Sequence, residues 1–461
     1  MLVQNIIWLL SLWPFIFLIK KVVKRKTINV FDLLIGFHCL YFALIPLVSK
    51  ASSFSYGNAL LGIENTIATM IFLNLFNVIA VFFNKWWIKN HDNKSNLLNI
   101  SNYLFRFYES FDCNFKSLVY FYILIVGISI YRQITGAYLY ESMDMLPTND
   151  HGMMFLDEMI ACIRVPMAIY LTVYLMKKGG YKKWSLYDWG ALVLFISFML
   201  SISRTWQVEI VLSSAITIYS VRRTSLNKTF FFKMLLVVIV LYYVFFPFKS
   251  FYRIARMNSI RDGKVSAALL DIDAIHSAIN EDIYYEDNKE SRQLNLYCLF
   301  AKCVDVASVQ YGTLLPKAIS YSIPKIIFPW KDQYGTQKDI EELSQTRIDV
   351  ADSAITYAYV DFGLLCPIIT FLIFISLFFI WNYYHSIINK RCQDGMTSLL
   401  FFNQIFIYSV RLETCVDTYL AAILHSVLTL MCIVALSRLC NFSFKYKNII
   451  IYNNGRFSNY R

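Results

Sequence analysis

Apolar residues along this chain fall in long blocks separated by short polar connections. Two of them, FFFKMLLVVIVLYYVFFP at 230–247 and LLCPIITFLIFISLFFIW at 364–381, are about as long as a helix must be to cross a hydrocarbon core of roughly 30 Å. The pattern predicts spans near 5–19, 30–48, 66–83, 117–134, 156–175, 187–203, 205–221, 230–248, 358–382, 398–410 and 416–438. The expected fold is all-α: a polytopic membrane protein of about eleven transmembrane helices. The first block ends in KKVVKRK rather than in a small-residue cleavage site, so it is expected to stay as the first span.

One stretch breaks the rhythm. Residues 249–355 hold runs such as NEDIYYEDNKESR and DIEELSQTRIDVADS, too charged for a span. Helical apolar spacing within 264–280 and 292–322 predicts helices lying over the membrane surface. Pro324 and Pro329 in SIPKIIFPWKDQ mark an extended or re-entrant turn. The expected organisation is an N-terminal membrane region at 1–248, a large loop domain at 249–357, a C-terminal membrane region at 358–440 and a tail at 441–461.

Composition agrees with the blocks. Of 461 residues, 57% are hydrophobic and only 16% charged, far from the balance of a soluble domain. Charge then supplies orientation, because Lys and Arg gather on cytoplasmic connections. The clusters Lys20, Lys21, Lys24, Arg25 and Lys26; Lys85, Lys89 and Lys94; Lys177, Lys178, Lys182 and Lys183; Arg222 and Arg223; and Lys390 and Arg391 all fall on one side of an alternating topology. That side is inside if the N-terminus is outside and the C-terminus inside, and it places the 249–355 loop outside. The same clusters account for most of the +12 net charge without any nucleic-acid partner, and a polybasic inner face attracts anionic lipid. Most of the ten cysteines sit singly in apolar stretches as small hydrophobes. Cys298 and Cys303 share the large loop and form the one disulfide candidate. No CxxC spacing suggests a metal or redox role.

Candidate chemistry lies where the orientation rule makes basic residues scarce, at the outer ends of spans. Arg204, in FMLSISRTWQVEIVL, sits in a tight hairpin, where it either snorkels to lipid phosphate or points into a cavity between helices. Arg253 and Arg256, in FKSFYRIAR, share a helix face directly after the eighth span. Arg411, in SVRLETCVD, occupies a second outer hairpin beside Glu413 and Asp417, and Arg164 lies within the fifth span below Asp157 and Glu158. Guanidinium forks suit a diphosphate, since they donate parallel hydrogen bonds and stay charged when water is excluded. A lipid-linked diphosphate at the outer leaflet is the ligand this pattern implies.

The SRT hairpin, the basic stretch after the next span, the IPKIIFPWK segment and DSAITYAYVDFGLLCPI resemble, in that order and over roughly residues 190–440, oligosaccharide repeat-unit polymerases of the Wzy (O-antigen polymerase) type. The resemblance implies a GT-C-like glycosyltransferase at the outer face of a bacterial inner membrane, acting in O-antigen or capsule polysaccharide synthesis. Its donor and acceptor would be undecaprenyl-diphosphate-linked glycans, with a chain-length regulator among the candidate partners. No cofactor or metal is implied. Asp271 and Asp273 lie in an amphipathic stretch as a solvated face.

Such a reaction needs a base for the acceptor hydroxyl and cations for the departing diphosphate. Arg204, Arg253, Arg256 and Arg411 are the candidates for the second role, with Arg164, Lys331 and Asp417 as further substrate contacts. Asp352 in ADSAITY, Asp361 in YVDFG and Asp417 in the Arg411 hairpin are the candidates for the first, although helix capping or salt bridging is the commoner reason for carboxylates at such positions. Three rival functions remain. A ligase for the same lipid-linked glycan differs only in its acceptor. A flippase for it would favour short loops and a repeat-built helix count. A membrane acyltransferase would want a paired histidine, whereas His38, His91, His385 and His425 are scattered.

Overall fold

A computed structural model describes residues 2–48, 55–56, 59–60, 63–91, 97–111, 118–119, 121–128, 151–179, 181–200, 204–223, 292–323, 336–344, 353–391, 395–412, 416, 419–420 and 423. These residues are helical apart from connections and one short antiparallel pair, β1 (Ser55–Tyr56) with β2 (Ala59–Leu60). Among the described residues, four helical stretches are long and apolar enough to cross a membrane: Val3–Val23, Val30–Val48, Asn65–Asn90 and Ala354–Ile387. The expected spans at 230–248 and 416–438 and the helix at 264–280 lie wholly or largely outside the described residues.

The first expected span is two helices, α1 (Leu2–Leu10) and α2 (Trp13–Val23). The break falls just before Pro14, whose ring cannot sit inside a continuing helix. The second span is α3 (Val30–Cys39), a π turn over Leu40–Leu44, and α4 (Ile45–Val48). Pro46 follows the π turn and has no N–H to give the preceding turn, which fits a widened helix there. The third is α5 (Ile63–His91), and a short amphipathic helix, α6 (Ile100–Ser110), follows it.

Helix α5 carries its polarity inside out. Thr66, Thr69, Asn77 and Asn84 are buried, whereas Ile67, Ile71, Leu75 and Phe82 are exposed, Phe82 to 68%. A soluble helix turns its apolar stripe inward. Here the outside is oil and the amides bind helix to helix, as expected in lipid. Exposed Ile368, Leu372, Phe379 and Ile380 repeat the arrangement along α14 (Cys366–Arg391), and Leu364 and Leu365 are exposed in the turn that joins it to the largely buried α13 (Ala354–Phe362).

Among the described residues the remaining α-helices are α7 (His151–Lys177), α8 (Leu186–Leu200), α9 (Arg204–Arg222), α10 (Arg292–Val306), α11 (Leu314–Ser322), α12 (Thr336–Ser344) and α15 (Gly395–Val410). Helices α1–α5 gather with α10, α13 and α14, while α6, α7 and α9 pack together. Helix α15 joins the two groups by touching α3, α7 and α14.

In the large loop, packing departs from the expected surface helices. The 292–322 stretch is two helices separated at 307–313, and α10 does not lie on a surface. Leu296 through Ala301 are all buried, enclosed by α5, α12, α13 and the π turn. Cys298 and Cys303, the disulfide candidate, are not bonded to each other: both are buried on that one helix, whose backbone holds them apart rather than in disulfide geometry.

Several basic connections meet at one end of the bundle. The Tyr219 hydroxyl donates to the Lys26 carbonyl at 2.7 Å, Lys177 Nζ to the Glu109 carbonyl at 3.3 Å, and Arg223 to Asn102 at 3.5 Å. Close by, Asp32 caps α3 in a reciprocal box with Asn29, pairs with Lys21 and accepts from Asn84 at 2.8 Å.

Candidate functional site

About 20 Å from the basic end, measured along α9 at 1.5 Å per residue, three charged side chains from three segments meet. Glu209 on α9 is 0% exposed. One of its carboxylate oxygens accepts from Arg164 of α7, at 2.7 Å from Nε and 2.6 Å from Nη2. The other accepts from Arg411, just past α15, at 3.2 Å from Nε and 3.0 Å from Nη2. The carboxylate therefore bridges two guanidiniums.

The two arginines differ in setting. The Arg164 side chain is 1% exposed, and its guanidinium carbon lies 4.5 Å from the ring centre of Trp206, one turn before Glu209. Arg411 is 29% exposed. Its backbone N–H donates to the Ile407 carbonyl at 2.8 Å, and its own carbonyl accepts from the Tyr419 hydroxyl. The seam is closed from α15 by Gln404, which donates to the Cys162 thiol at 3.3 Å.

An ion cluster at this depth follows from the local sequence. Helices α7 and α9 run side by side, and the TWQVE stretch puts Trp206 and Glu209 on one face, three residues apart. A lone buried Arg or Glu in an apolar bundle costs several kcal/mol; each is tolerable only with the others present. Arginine forks against carboxylate or phosphate oxygens are directional and strong, and here both converge on the Glu209 carboxylate.

Of the residues singled out by sequence, Arg164 and Arg411 are brought together, by a partner the sequence did not nominate. Glu209 lies in the very stretch that drew notice to Arg204, and an acid inside an apolar span was the signal that would have found it. Arg204 opens α9, five residues before Glu209; its side chain lies outside the described residues. So do Arg253, Arg256, Lys331, Asp352 and Asp417.

Asp361 is buried and committed elsewhere. Its Oδ1 accepts from the Leu314 N–H at 3.0 Å, at the start of α11, and its Oδ2 accepts from the Tyr357 hydroxyl at 3.4 Å. Its carbonyl accepts from Gly312 at 2.9 Å. These contacts make it a structural tie between α13 and the loop helices.

Among the described residues no group of three or more His, Cys, Asp or Glu side chains is placed to hold a metal ion. His38 packs against the rings of Phe76 and Phe42, and His385 meets Ser398 at 2.9 Å.

The class these features define is a helical bundle with the composition and exposed apolar faces of a membrane protein, carrying a buried Arg–Glu–Arg cluster. Comparison with protein-family models, with curated proteins and with solved structures finds no match to this chain.

Proposed function

We propose that this chain is a GT-C-like membrane glycosyltransferase with about eleven spans, polymerising undecaprenyl-diphosphate-linked repeat units at the outer face of the bacterial inner membrane for O-antigen or capsule polysaccharide. The observation that carries the proposal is the convergence of Arg164 and Arg411 on Glu209 near the end of α9 opposite the basic connections. Two guanidiniums held at that depth suit an anion at headgroup level, and a lipid diphosphate has both the charge and the location.

The chemistry is a displacement at the anomeric carbon. The acceptor hydroxyl forms a new glycosidic C–O bond as the bond from the anomeric carbon to the donor phosphate oxygen breaks. The hydroxyl proton passes to a base, for which Asp352 and Asp417 are nominated. The bonding pair leaves with the lipid diphosphate, whose charge Arg411 stabilises, assisted by Arg204, Arg253 and Arg256. Lys331 is a further phosphate contact. In the membrane, the N-terminus is outside and the C-terminus inside, and a chain-length regulator is the candidate protein partner.

The test is genetic and chemical. A strain without this chain is expected to export and attach a single repeat, giving a core-plus-one band and no ladder. Loss of that single-repeat band as well would sink the polymerase reading in favour of a ligase or a flippase for the same lipid.

A further inference from the structure

We propose that α11, with Tyr311 before it and the Leu364–Leu365 turn beside it, is an interfacial anchor whose partner is bilayer lipid, in the leaflet opposite the basic connections. The proposal goes beyond the glycosyltransferase reading and takes from it only the orientation that makes this leaflet the outer one.

Helix α5 sets the level in the bilayer. Its exposed apolar side runs from Ile67 through Ile71, Leu75, Val78 and Phe82 to Trp86, roughly 28 Å at 1.5 Å per residue and close to the thickness of a hydrocarbon core. Lys85 and Lys89 mark its basic end. The Tyr359 ring meets Phe72 of α5 with 5.4 Å between ring centres. The last turn of α13 therefore stands toward the opposite end of that side, about 8 Å along α5 from Ile67. The connection between α10 and α11 is hydrogen-bonded onto this turn. Gln310 N–H donates to the Val360 carbonyl at 2.8 Å, Gly312 N–H to the Asp361 carbonyl at 2.9 Å, and Leu314 N–H to Asp361 Oδ1 at 3.0 Å. Helix α11 thus starts near the boundary between oil and water.

The side chains exposed there are apolar. Tyr311 is 88% and Leu364 81% exposed, and Leu315, Ile319 and Leu365 are exposed with them. Leu315 and Ile319, four residues apart, share one side of α11, while Leu314 and Ala318 are buried against the protein. Leu364 and Leu365 lead directly into the exposed Ile368 and Leu372 of α14, so the patch continues a surface that already faces lipid. Tyr311 holds φ +52°, a left-handed conformation that a bulky residue adopts at a cost. Its exposed ring is of the kind that gathers at membrane interfaces.

Charge separates this lipid side from a water side. Lys317 of α11 pairs with Asp339 of α12 at 2.7 Å, and α12 exposes Lys338 and Glu342. One helix of the tied pair offers apolar side chains and the other offers charges. Apolar side chains grouped in this way are unfavourable against water and favourable against acyl chains, and an amphipathic helix so arranged lies in the interface plane.

The test uses the full chain in phosphatidylcholine–phosphatidylglycerol vesicles. Leu315, Ile319, Glu342 and the lipid-facing Leu372 are replaced, one at a time, by benzoylphenylalanine, whose excited ketone inserts into nearby C–H bonds. All four positions are exposed, so the larger side chain is accommodated. After irradiation, the chain mass should rise by one phospholipid at Leu315, Ile319 and Leu372. The yield at Glu342 should be lower on the order of tenfold, because acyl chains stay out of water. Yields at Leu315 and Ile319 as low as at Glu342 would overturn the proposal. So would a covalent dimer formed from either position, which would make this side a contact between copies of the chain. The energetic counterpart is Leu315→Asp with Ile319→Asp, expected to lower the thermal midpoint of the chain in vesicles; an unchanged or raised midpoint, as for a side that meets water, would overturn it equally. Neither measurement reads polymer, so failure here and failure of the glycosyltransferase reading are separate results.

Discussion

At the scale of single residues, the carboxylates divide by what their oxygens already hold. Asp361 accepts from the Leu314 N–H at 3.0 Å and from Tyr357 at 3.4 Å, so an acceptor oxygen is what the position needs. Asn supplies one. Asp361→Asn should therefore keep a full polymer ladder and a near wild-type melting point, while Asp361→Ala should cost about 1–2 kcal/mol, the usual loss on removing a cap. Loss of the ladder in Asp361→Asn at normal abundance would restore this residue as a base. Arg164 and Arg411 were legible as unusual because of where their charges fall along the apolar pattern. Their shared partner was not. Glu209 stands 45 positions from Arg164 and 202 from Arg411, and nothing in local spacing encodes a meeting at such separations.

At the scale of elements, apolar blocks located helices well. The expected spans 30–48, 156–175, 187–203, 205–221 and 398–410 coincide within a few residues with α3–α4, α7, α8, α9 and α15, because an apolar run flanked by charge leaves the backbone little alternative to satisfying itself as a helix. Burial within the loop was less legible. Helix α10 reads as amphipathic in sequence, yet Leu296 through Ala301 are buried on every side, since enclosure depends on neighbours distant in the chain. A second element-scale device is Gly363, which ends α13 at φ +59° and ψ −124°. An added Cβ would lie 3.1 Å from Val309 Cγ2, and that backbone region is open essentially to glycine alone. Gly363→Ala is expected to lower stability by about 1–3 kcal/mol, measured as a reduced thermal midpoint in detergent; an unchanged midpoint would mean that the α13–α14 joint relaxes freely.

At the scale of the whole molecule, the inside-out polarity of α5 and the gathering of Lys26, Lys177 and Arg223 at one end of the bundle lead to a topology prediction. A reporter fused near Gly263 or Asn288 should be active only outside the cytoplasm, and one fused after Arg461 only inside. A cytoplasmic 249–355 segment would put Arg253 and Arg256 on the opposite face from the donor diphosphate, and the catalytic proposal would fall. The sequence by itself determined that the chain is helical, apolar enough for a membrane, and segmented into long blocks with its basic residues on alternate connections, because hydropathy, helix length and charge placement are local quantities read along the chain. Only the tertiary structure decided that α15 bridges two helix groups, that Asp361 ties a loop helix to α13, and that Arg164, Glu209 and Arg411 form one cluster. Those outcomes depend on which helices lie side by side and on the need of each buried charge for a partner, and both are fixed by packing across the whole bundle.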